Sequence, residues 1–386
     1  MTRSVPHSLR RARLQRRHGL TEKPFPSAAD AVGSVVAFHA TDPATVFLGL
    51  AARLAPVSAE ELSAELYDSG SFVKMHAMRR TVFIARRADV ARLRAAVTDD
   101  LAVRERRAIL RLLSSADLGE TWLRSVQDAI CDVVADGILR SGAALVELEP
   151  RLTQQVRAPD RASAKWVSIG SRLLGLLAME GWIERGGPVG SWQSNQVTWV
   201  RASGTPPVDP AAARAWLLSS YLDRFGPATM TDLTWWTGWG KGVINRTLGD
   251  IGSRTITFED GQAAVTTDDD LLDDEPASTG RAVLLPSLDP TVMGWKERDW
   301  YLGPLPTAQL IDRSGNIGPT VWWDGAVVGG WGQDAGGTVR WEPLAPLTAQ
   351  AREAIGSEAD RVTGFLDGRT VAPRFRTPLE LRLAAS

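Results

Sequence analysis

Residues 35–50, VVAFHATDPATVFLGL, combine an apolar run with one histidine and an Asp-Pro pair. Because a proline disfavours the α region for the residue before it, Asp42 is predicted to end the preceding helix. Pro43 can then begin a new helix, since its fixed φ suits a first helical turn. His39 and Thr41 would therefore lie at a helix–helix corner. The local sequence on its own favours a core histidine that is bonded to a backbone carbonyl.

The sequence around this corner predicts short helices followed by a two-stranded ribbon. Helical patterns cover residues 7–18, 27–40, 43–54 and 58–68. Ser27 is a candidate N-cap, and Ser58 with Glu61 forms a capping-box pattern. Residues 72–86, FVKMHAMRRTVFIAR, place β-branched and aromatic residues around a basic centre, which is typical of a hairpin. Three helices followed by a ribbon are the plan of a winged helix.

The same order recurs twice further along the chain. After helices at 87–96, 101–115 and 119–138, residues 128–202 contain a helix through Cys131, a turn and short helix, a helix over 166–180 and two strands around a polar tip. Residues 209–266 contain three more helices and a ribbon. We interpret the three copies as tandem modules, because they are too divergent for a solenoid repeat.

The last part of the chain has a different pattern. The acidic run 268–275 predicts a solvated linker and domain boundary. Short strands split by Gly, Pro and Asp-Gly turns follow it, and a helix over 347–367 closes the chain. Trp322, Trp323, Trp331 and Trp341 favour core positions over a base-stacking platform. We therefore predict an α+β protein with three tandem winged-helix modules and a β-rich, barrel-like C-terminal lobe, divided at 1–120, 121–205, 206–275 and 276–386.

Composition narrows the class of protein. A chain of 386 residues is too long for one core and is expected to form about two to four domains. No run of about eighteen apolar residues is present, so no membrane association is expected. The single cysteine, Cys131, excludes an internal disulfide and fits the reducing cytoplasm. The Cys and His spacings form no metal site, so we expect no metal, and no cofactor is expected. We also expect a monomer.

The charge distribution is compatible with DNA binding. The formal net charge is −1, but arginines collect near residues 10–17, 79–94 and 104–111. Lysine occurs only five times among the 44 basic residues. Arginine is the better bidentate partner for phosphate, although genome composition can produce the same bias.

Taken together, the motifs resemble a known family, the winged-helix DNA glycosylases of the AlkZ/YcaQ type. The resemblance covers nearly the whole chain and rests on the order of FHATDP, MHAMRRTVFIA, SWQSNQVTW, DLTWWTG, LLPSLDPTVMGWKERD and GPTVWWDGAVVGGW. It implies winged-helix modules and a β-rich lobe that clasp double-stranded DNA. It also implies excision of alkylated purines, including bulky N7-guanine adducts made by genotoxic natural products.

The resemblance places the catalytic motif at the corner. The family has glutamine, a hydrophobic residue and then glutamine or aspartate where this chain has His39, Ala40 and Thr41. A histidine can take a proton from an attacking water directly, which glutamine cannot. The Thr41 hydroxyl can accept a hydrogen bond from that water while it donates elsewhere. Asp42 either orients the imidazole or only breaks the helix.

Several side chains are candidates for DNA contacts. They lie in the basic hairpin, ahead of a predicted recognition helix, at a wing tip and in GWKERD, and they are Arg79, Arg80, Lys165, Gln193, Ser194, Asn195, Lys296 and Arg298. Each also has a structural interpretation as a strand-edge, helix-start or turn residue. His76 is either a second site histidine or a strand residue. The alternative to a glycosylase is a non-catalytic winged-helix protein that regulates genes or sequesters lesions.

Overall fold

The structure is a computed structural model that describes residues 4–135, 140–157, 166–267 and 280–385. Its helices are α1 His7–Arg17, α2 Ala28–Gly33, α3 Pro43–Ala51, α4 Ala59–Tyr67, α5 Arg87–Leu93, α6 Asp99–Leu113, α7 Glu120–Ala135, α8 Gly142–Leu148, α9 Gly170–Glu180, α10 Pro210–Phe225, α11 Met230–Thr237, α12 Lys241–Asp250, α13 Asp299–Leu302, α14 Ala349–Leu366 and α15 Pro378–Ala384. Its strands are β1 Ser4–Val5, β2 Phe38–His39, β3 Phe72–His76, β4 Val82–Arg86, β5 Arg140–Ser141, β6 Gln155–Arg157, β7 Trp166–Ser168, β8 Ile183–Pro188, β9 Val197–Arg201, β10 Arg254–Phe258, β11 Ala263–Thr266, β12 Ala282–Leu285, β13 Thr320–Trp323, β14 Ala326–Gln333 and β15 Val339–Pro343.

The chain folds into two compact units. One, the split unit, contains the residues up to Glu65 and those from Ala215 onward, and the other, the inserted unit, is Leu66–Arg214. The chain passes between them within α4 and within α10. In the described part of the chain, no helix combines the length and the apolar character that crossing a bilayer requires.

The C-terminal part of the split unit is built on an antiparallel sheet in the order β12-β13-β14-β15. Helix α14 packs along β12 and β15, and α15 packs against β14. The predicted β-rich lobe is therefore present, but its barrel-like closure is wrong, because the described strands form an open sheet. The two edge strands, β12 and β15, do not pair with each other, and helices cover this sheet.

The tryptophans of this sheet differ in burial. Trp322 and Trp331 are buried, whereas Trp323 and Trp341 are half-buried. The Trp331 indole donates to the Leu285 carbonyl at 2.8 Å, which satisfies its polar N–H inside the core. The prediction that these residues belong to the core and the strand pairs is confirmed for the two buried ones.

A second sheet of the split unit joins residues near the N-terminus to residues that follow the inserted unit. Strand β1 pairs in parallel with β10, which pairs antiparallel with β11. Val5, Leu9 and Phe258 belong to the apolar cluster at this junction. Helix α11 begins with a capping box in which Thr229 and Asp232 cap each other's backbone amides. Residues 210–266 thus show the predicted order of three helices and a ribbon.

The inserted unit contains the other clear copy of this order. Helices α7, α8 and α9 precede the β8–β9 ribbon, and the strands of this unit lie side by side in the order β4-β3-β8-β9-β5. Its core includes Leu173, Leu177, Ile183 and Trp199. The predicted sequence of elements is confirmed here, while the assignment of these units as winged helices stays a prediction.

Two predicted helices are too long. The helix predicted over 27–40 begins at its Ser27 cap but ends at Gly33, and Val36 has a φ of +66°, which no α-helix contains. The helix predicted over 166–180 begins only at Gly170, because residues Trp166–Ser168 pair as a strand with β6. The acidic linker predicted at 268–275 lies outside the described residues.

Candidate active site and DNA interface

The predicted catalytic corner is a turn between a strand and a helix. Residues Phe38–His39 form β2, Asp42 is the N-cap of α3, and Pro43 is its first residue. The helix start at Pro43 is confirmed, but Asp42 ends no preceding helix. His39 is buried, with 5% of its surface exposed, and Thr41 is half-buried. The corner therefore holds one covered imidazole and one half-buried threonine.

The Asp42 carboxylate bonds to the backbone on both sides. Its Oδ1 accepts from the Ala44 amide at 3.1 Å, which is an N-cap bond, and its Oδ2 accepts from the Arg374 amide at 3.0 Å. A capping carboxylate also interacts favourably with the positive end of the helix dipole. These contacts make Asp42 the N-cap that fixes the start of α3, a role different from the two considered for it in the sequence.

Helix α3 is held by the loop that follows β12. The Thr45 hydroxyl donates to the Ser287 carbonyl at 2.7 Å. At Gly49 the helix approaches so closely that a Cβ would lie 2.6 Å from Phe38 Cε1 and 2.9 Å from Asp289 Oδ2. Since real Cβ atoms keep longer distances, this position requires glycine. The close packing fixes the helix on which the corner is built.

A buried polar network continues this attachment. Arg53, just after α3, pairs with Asp289 and also donates to the Thr291 hydroxyl at 2.7 Å. Thr291 lies 2.9 Å from His18 Nδ1, and His18 Nε2 lies 3.2 Å from the Arg224 carbonyl. Because a carbonyl only accepts, Nε2 carries the proton and Nδ1 accepts from the threonine. Burial and the Arg53 charge hold the pKa of His18 well below its ordinary value, so this imidazole is neutral.

Backbone strain is present just before the corner and in the loop that holds α3. Val36 has a φ of +66° in a turn closed by a 2.7 Å bond from the Ala37 amide to the Val35 carbonyl. Leu288, in the loop that holds α3, has a φ of +61°. Positive φ is unfavourable for branched side chains, and such strain persists where the surrounding packing imposes it.

The basic hairpin of the inserted unit also has a strained tip. Arg79 and Arg80, both predicted to contact DNA, have φ values of +54° and +61°. The Arg80 guanidinium is half exposed and lies 2.6 Å from the buried carboxylate of Glu105, which also accepts from Arg172. The turn thus presents Arg80 at the surface of its unit with its orientation set by a buried acid.

His76, at the end of β3, is a poor base in this structure. Burial, together with the charges of Arg185 and Arg80, lowers the pKa of His76 to about 3. Its backbone carbonyl accepts from the Thr98 hydroxyl at 2.8 Å. These features favour the interpretation of His76 as a strand residue over that of a second site histidine.

The predicted wing tip is polar and accessible. Ser194 Oγ accepts from the Gln196 amide, and the Ser194 amide donates to the Ser191 carbonyl at 2.9 Å, so this serine shapes the turn. Asn195 is exposed and Gln193 is half-buried. Lys165, predicted to precede the recognition helix, lies outside the described residues.

The two basic residues of GWKERD differ in exposure. The Lys296 side chain is exposed, while its amide donates to the buried carboxylate of Asp232 at 2.9 Å. Arg298 is 7% exposed, and its guanidinium donates to the carbonyls of Trp295 and Gly315, each at 3.0 Å. Because these bonds occupy it inside the core, Arg298 is a structural residue and we withdraw it from the predicted DNA contacts.

Comparison with protein families identifies the chain. The family model described as DNA glycosylase AlkZ-like matches residues 32–365, which include the corner, the hairpin, the wing and most of the C-terminal lobe. The chain belongs to the AlkZ-like DNA glycosylase family. This match confirms the resemblance seen in the sequence. Members of a DNA glycosylase family are hydrolases that act in DNA repair, and this protein is one of them.

The fold agrees with this AlkZ-like assignment. A solved structure, the Streptomyces sahachiroi DNA glycosylase AlkZ, matches with a TM-score of 0.73 and 22% sequence identity. The match covers 95% of this chain and 99% of that one. No curated protein matches the sequence.

Several residues of this AlkZ-like site were missed by sequence reasoning. Asp289 lies within a motif that carried the resemblance, but nothing local pairs it with Arg53, which is 236 positions away. His18 follows a basic helix, and the local sequence does not predict that it is buried. Arg374 contacts the corner from 332 positions away. Such partners leave no periodic signal in the sequence.

Proposed function

We propose that this protein, acting as a monomer, hydrolyses the N-glycosidic bond of purines that carry bulky alkyl groups at N7. The observation that supports this proposal most directly is the position of His39. A covered imidazole lies at the corner that precedes α3, where the resemblance to the family places a glutamine amide. The imidazole is a stronger base than the amide that it replaces.

The chemistry needs little more than a positioned base. N7 alkylation makes the purine cationic, so the C1′–N9 bond breaks with its electron pair neutralising the departing base. A water attacks C1′ from the opposite face of the sugar as oxocarbenium character develops. His39 accepts the proton of that water, and the Thr41 hydroxyl holds the water in place. Asp42 contributes by fixing the start of α3 through its two bonds to backbone amides.

DNA is bound through basic and polar side chains of both units. In the inserted unit we assign Arg79, Arg80, Lys165 and the wing residues to phosphate or groove contacts. Lys296, exposed in the split unit, serves the same purpose. The helix–helix–helix–ribbon stretches act as winged-helix modules, a plan that commonly places a helix in the major groove. We further propose that excision of bulky adducts gives its host resistance to a genotoxic metabolite.

The experiment is a single-turnover assay on a duplex with one bulky N7-alkylguanine. Excess protein should release the alkylated base with first-order kinetics and leave an abasic site that alkali cleaves. A specific observation, the replacement of both polar motif positions by His39 and Thr41, favours a second candidate, a lesion-binding protein without catalysis. Tight binding of the lesion duplex with no base release across several bulky adducts would establish that second function.

A further inference from the structure

The segment between α14 and α15 lies directly on the candidate catalytic corner. The Arg374 amide donates to Asp42 Oδ2 at 3.0 Å, and Arg374 Nη1 lies 3.4 Å from the Thr41 carbonyl. The segment is anchored to the sheet by Gln333, whose Oε1 accepts from the Val371 amide at 2.8 Å. All of these residues belong to the split unit, and those of the segment follow residue 365, where the family match ends.

Arg374 differs from the other arginines of this segment. Arg369 pairs with Glu60 at 2.9 Å, and Arg376 pairs with Glu380 at 2.6 Å. Arg374 is exposed, and among the described residues no carboxylate lies within ion-pair distance of its guanidinium. Its polar contact at the corner is with a neutral carbonyl, at a distance that leaves the bond weak. Of these three cations, only the one beside the corner lacks a neutralising acid.

We propose that the Arg374 guanidinium binds a phosphate of the DNA backbone next to the damaged nucleotide. This inference rests on the proposed function, because it places the sugar of that nucleotide at the corner. An arginine offers a planar fork of donors that fits a phosphodiester, and phosphate contacts set the register of a protein on DNA. The bond from its amide to Asp42 fixes the base of this side chain relative to the start of α3. Arg374 is thus a substrate-positioning residue.

The guanidinium of Arg374 can be tested separately from its backbone amide, because substitution of the side chain leaves the hydrogen bond from that amide to Asp42 in place. We would measure Kd for a duplex with a stable tetrahydrofuran abasic site at several salt concentrations. Arg374→Ala should weaken binding about 10-fold and reduce the slope of log K against log salt by about one. Arg374→Lys should keep most of the slope. Arg352→Ala, which removes an exposed arginine of α14, is the matched control.

A chemical change in the DNA identifies the partner. Methylphosphonates placed one at a time around the abasic site remove single phosphate charges. At one position the methylphosphonate should weaken binding by the wild-type protein. The Arg374→Ala variant should bind that modified duplex and the unmodified duplex with the same Kd. Equal additional losses at every position, or an unchanged salt slope in Arg374→Ala, would overturn the inference. Because these readouts are binding constants, they remain decisive for Arg374 even if the wild-type protein excises no base.

Discussion

Arg53 and Asp289 form a buried, bidentate ion pair. Arg53 Nη1 and Nη2 donate to Asp289 Oδ2 and Oδ1 at 2.9 and 2.8 Å, and neither side chain is exposed to solvent. The remaining guanidinium protons go to the His18 and Gly49 carbonyls and to the Thr291 hydroxyl. All five N–H donors of the arginine are therefore used. The pair connects the end of α3, the helix that begins at the candidate catalytic corner, to the loop after β12.

Asp289→Asn should strongly destabilise the protein. The substitution preserves the shape but leaves the Arg53 cation buried without a counter-charge, which costs about 3–5 kcal/mol of unfolding free energy. Urea denaturation compared with the exposed Asp250→Asn variant measures the difference, since the control should change stability by less than about 0.5 kcal/mol. Removing both charges, in Arg53→Met with Asp289→Leu, should be less harmful than Asp289→Asn alone. Equal stability of Asp289→Asn and the control would contradict the assigned role of the pair.

Gly49→Ala should destabilise the protein although alanine is the better helix former. The new methyl group would meet the Phe38 ring at 2.6 Å, so α3 must shift, at a cost of about 1–3 kcal/mol. Gly356→Ala in α14 is the matched control, because nothing lies within 4 Å of its Cβ position. That control should gain about 0.5–1 kcal/mol from helix propensity. The melting temperatures of the two variants should move in opposite directions.

The stability of the protein should fall as the pH decreases below about 6.5. Burial lowers the pKa of His18 well below that value, so the unfolded chain takes up a proton there that the folded protein does not. His76, whose pKa is lowered to about 3, acts with the same sign. Melting temperatures between pH 7.5 and 5.5 measure the trend. His18→Gln should be less stable at neutral pH but show a shallower decline, and an unchanged slope would mean that His18 titrates normally.

His39→Ala should reduce the excision of an N7-alkylguanine by about 10²-fold, the lower end of the range for general acid–base catalysis. The wild-type rate should rise with pH as the imidazole loses its proton and then level off, and the variant should lose this dependence. Thr41→Ala should lose less, because a hydroxyl positions the water without removing its proton. Single-turnover rates, measured beside DNA affinity and a thermal melt, separate catalysis from folding. A folded His39→Ala protein with undiminished excision cannot have used His39 as its base.

Local chemistry made much of the fold predictable. Ser58 and Glu61 form the capping box expected of them, with bonds of 3.1 and 2.8 Å, and Pro43 begins α3 as its fixed φ predicts. These signals involve groups within about four residues of each other, so a sequence displays them directly.

The predicted helix over 27–40 failed for a reason that local propensity does not contain. The chain turns at Val36 with a positive φ that an isolated valine avoids, so the surrounding packing must impose it. Arg298 likewise was a plausible DNA contact by its charge alone. Arg298 can be buried because the fold places the carbonyls of Trp295 and Gly315 where they accept hydrogen bonds from its guanidinium.

The sequence by itself determined the family, the order of helices and ribbons, and the location of a histidine at the corner where the resemblance places the family motif. Only the tertiary structure decided what surrounds that corner. Arg374 contacts Asp42 at the corner from 332 positions away, and Asp289 pairs with Arg53 at the other end of α3 from 236 positions away. The physical reason is that capping and periodicity are short-range properties of the chain. The pairing of distant charges depends instead on which surfaces the packed core brings together. A buried charge that is left without a partner costs free energy, so the folded state pairs such charges.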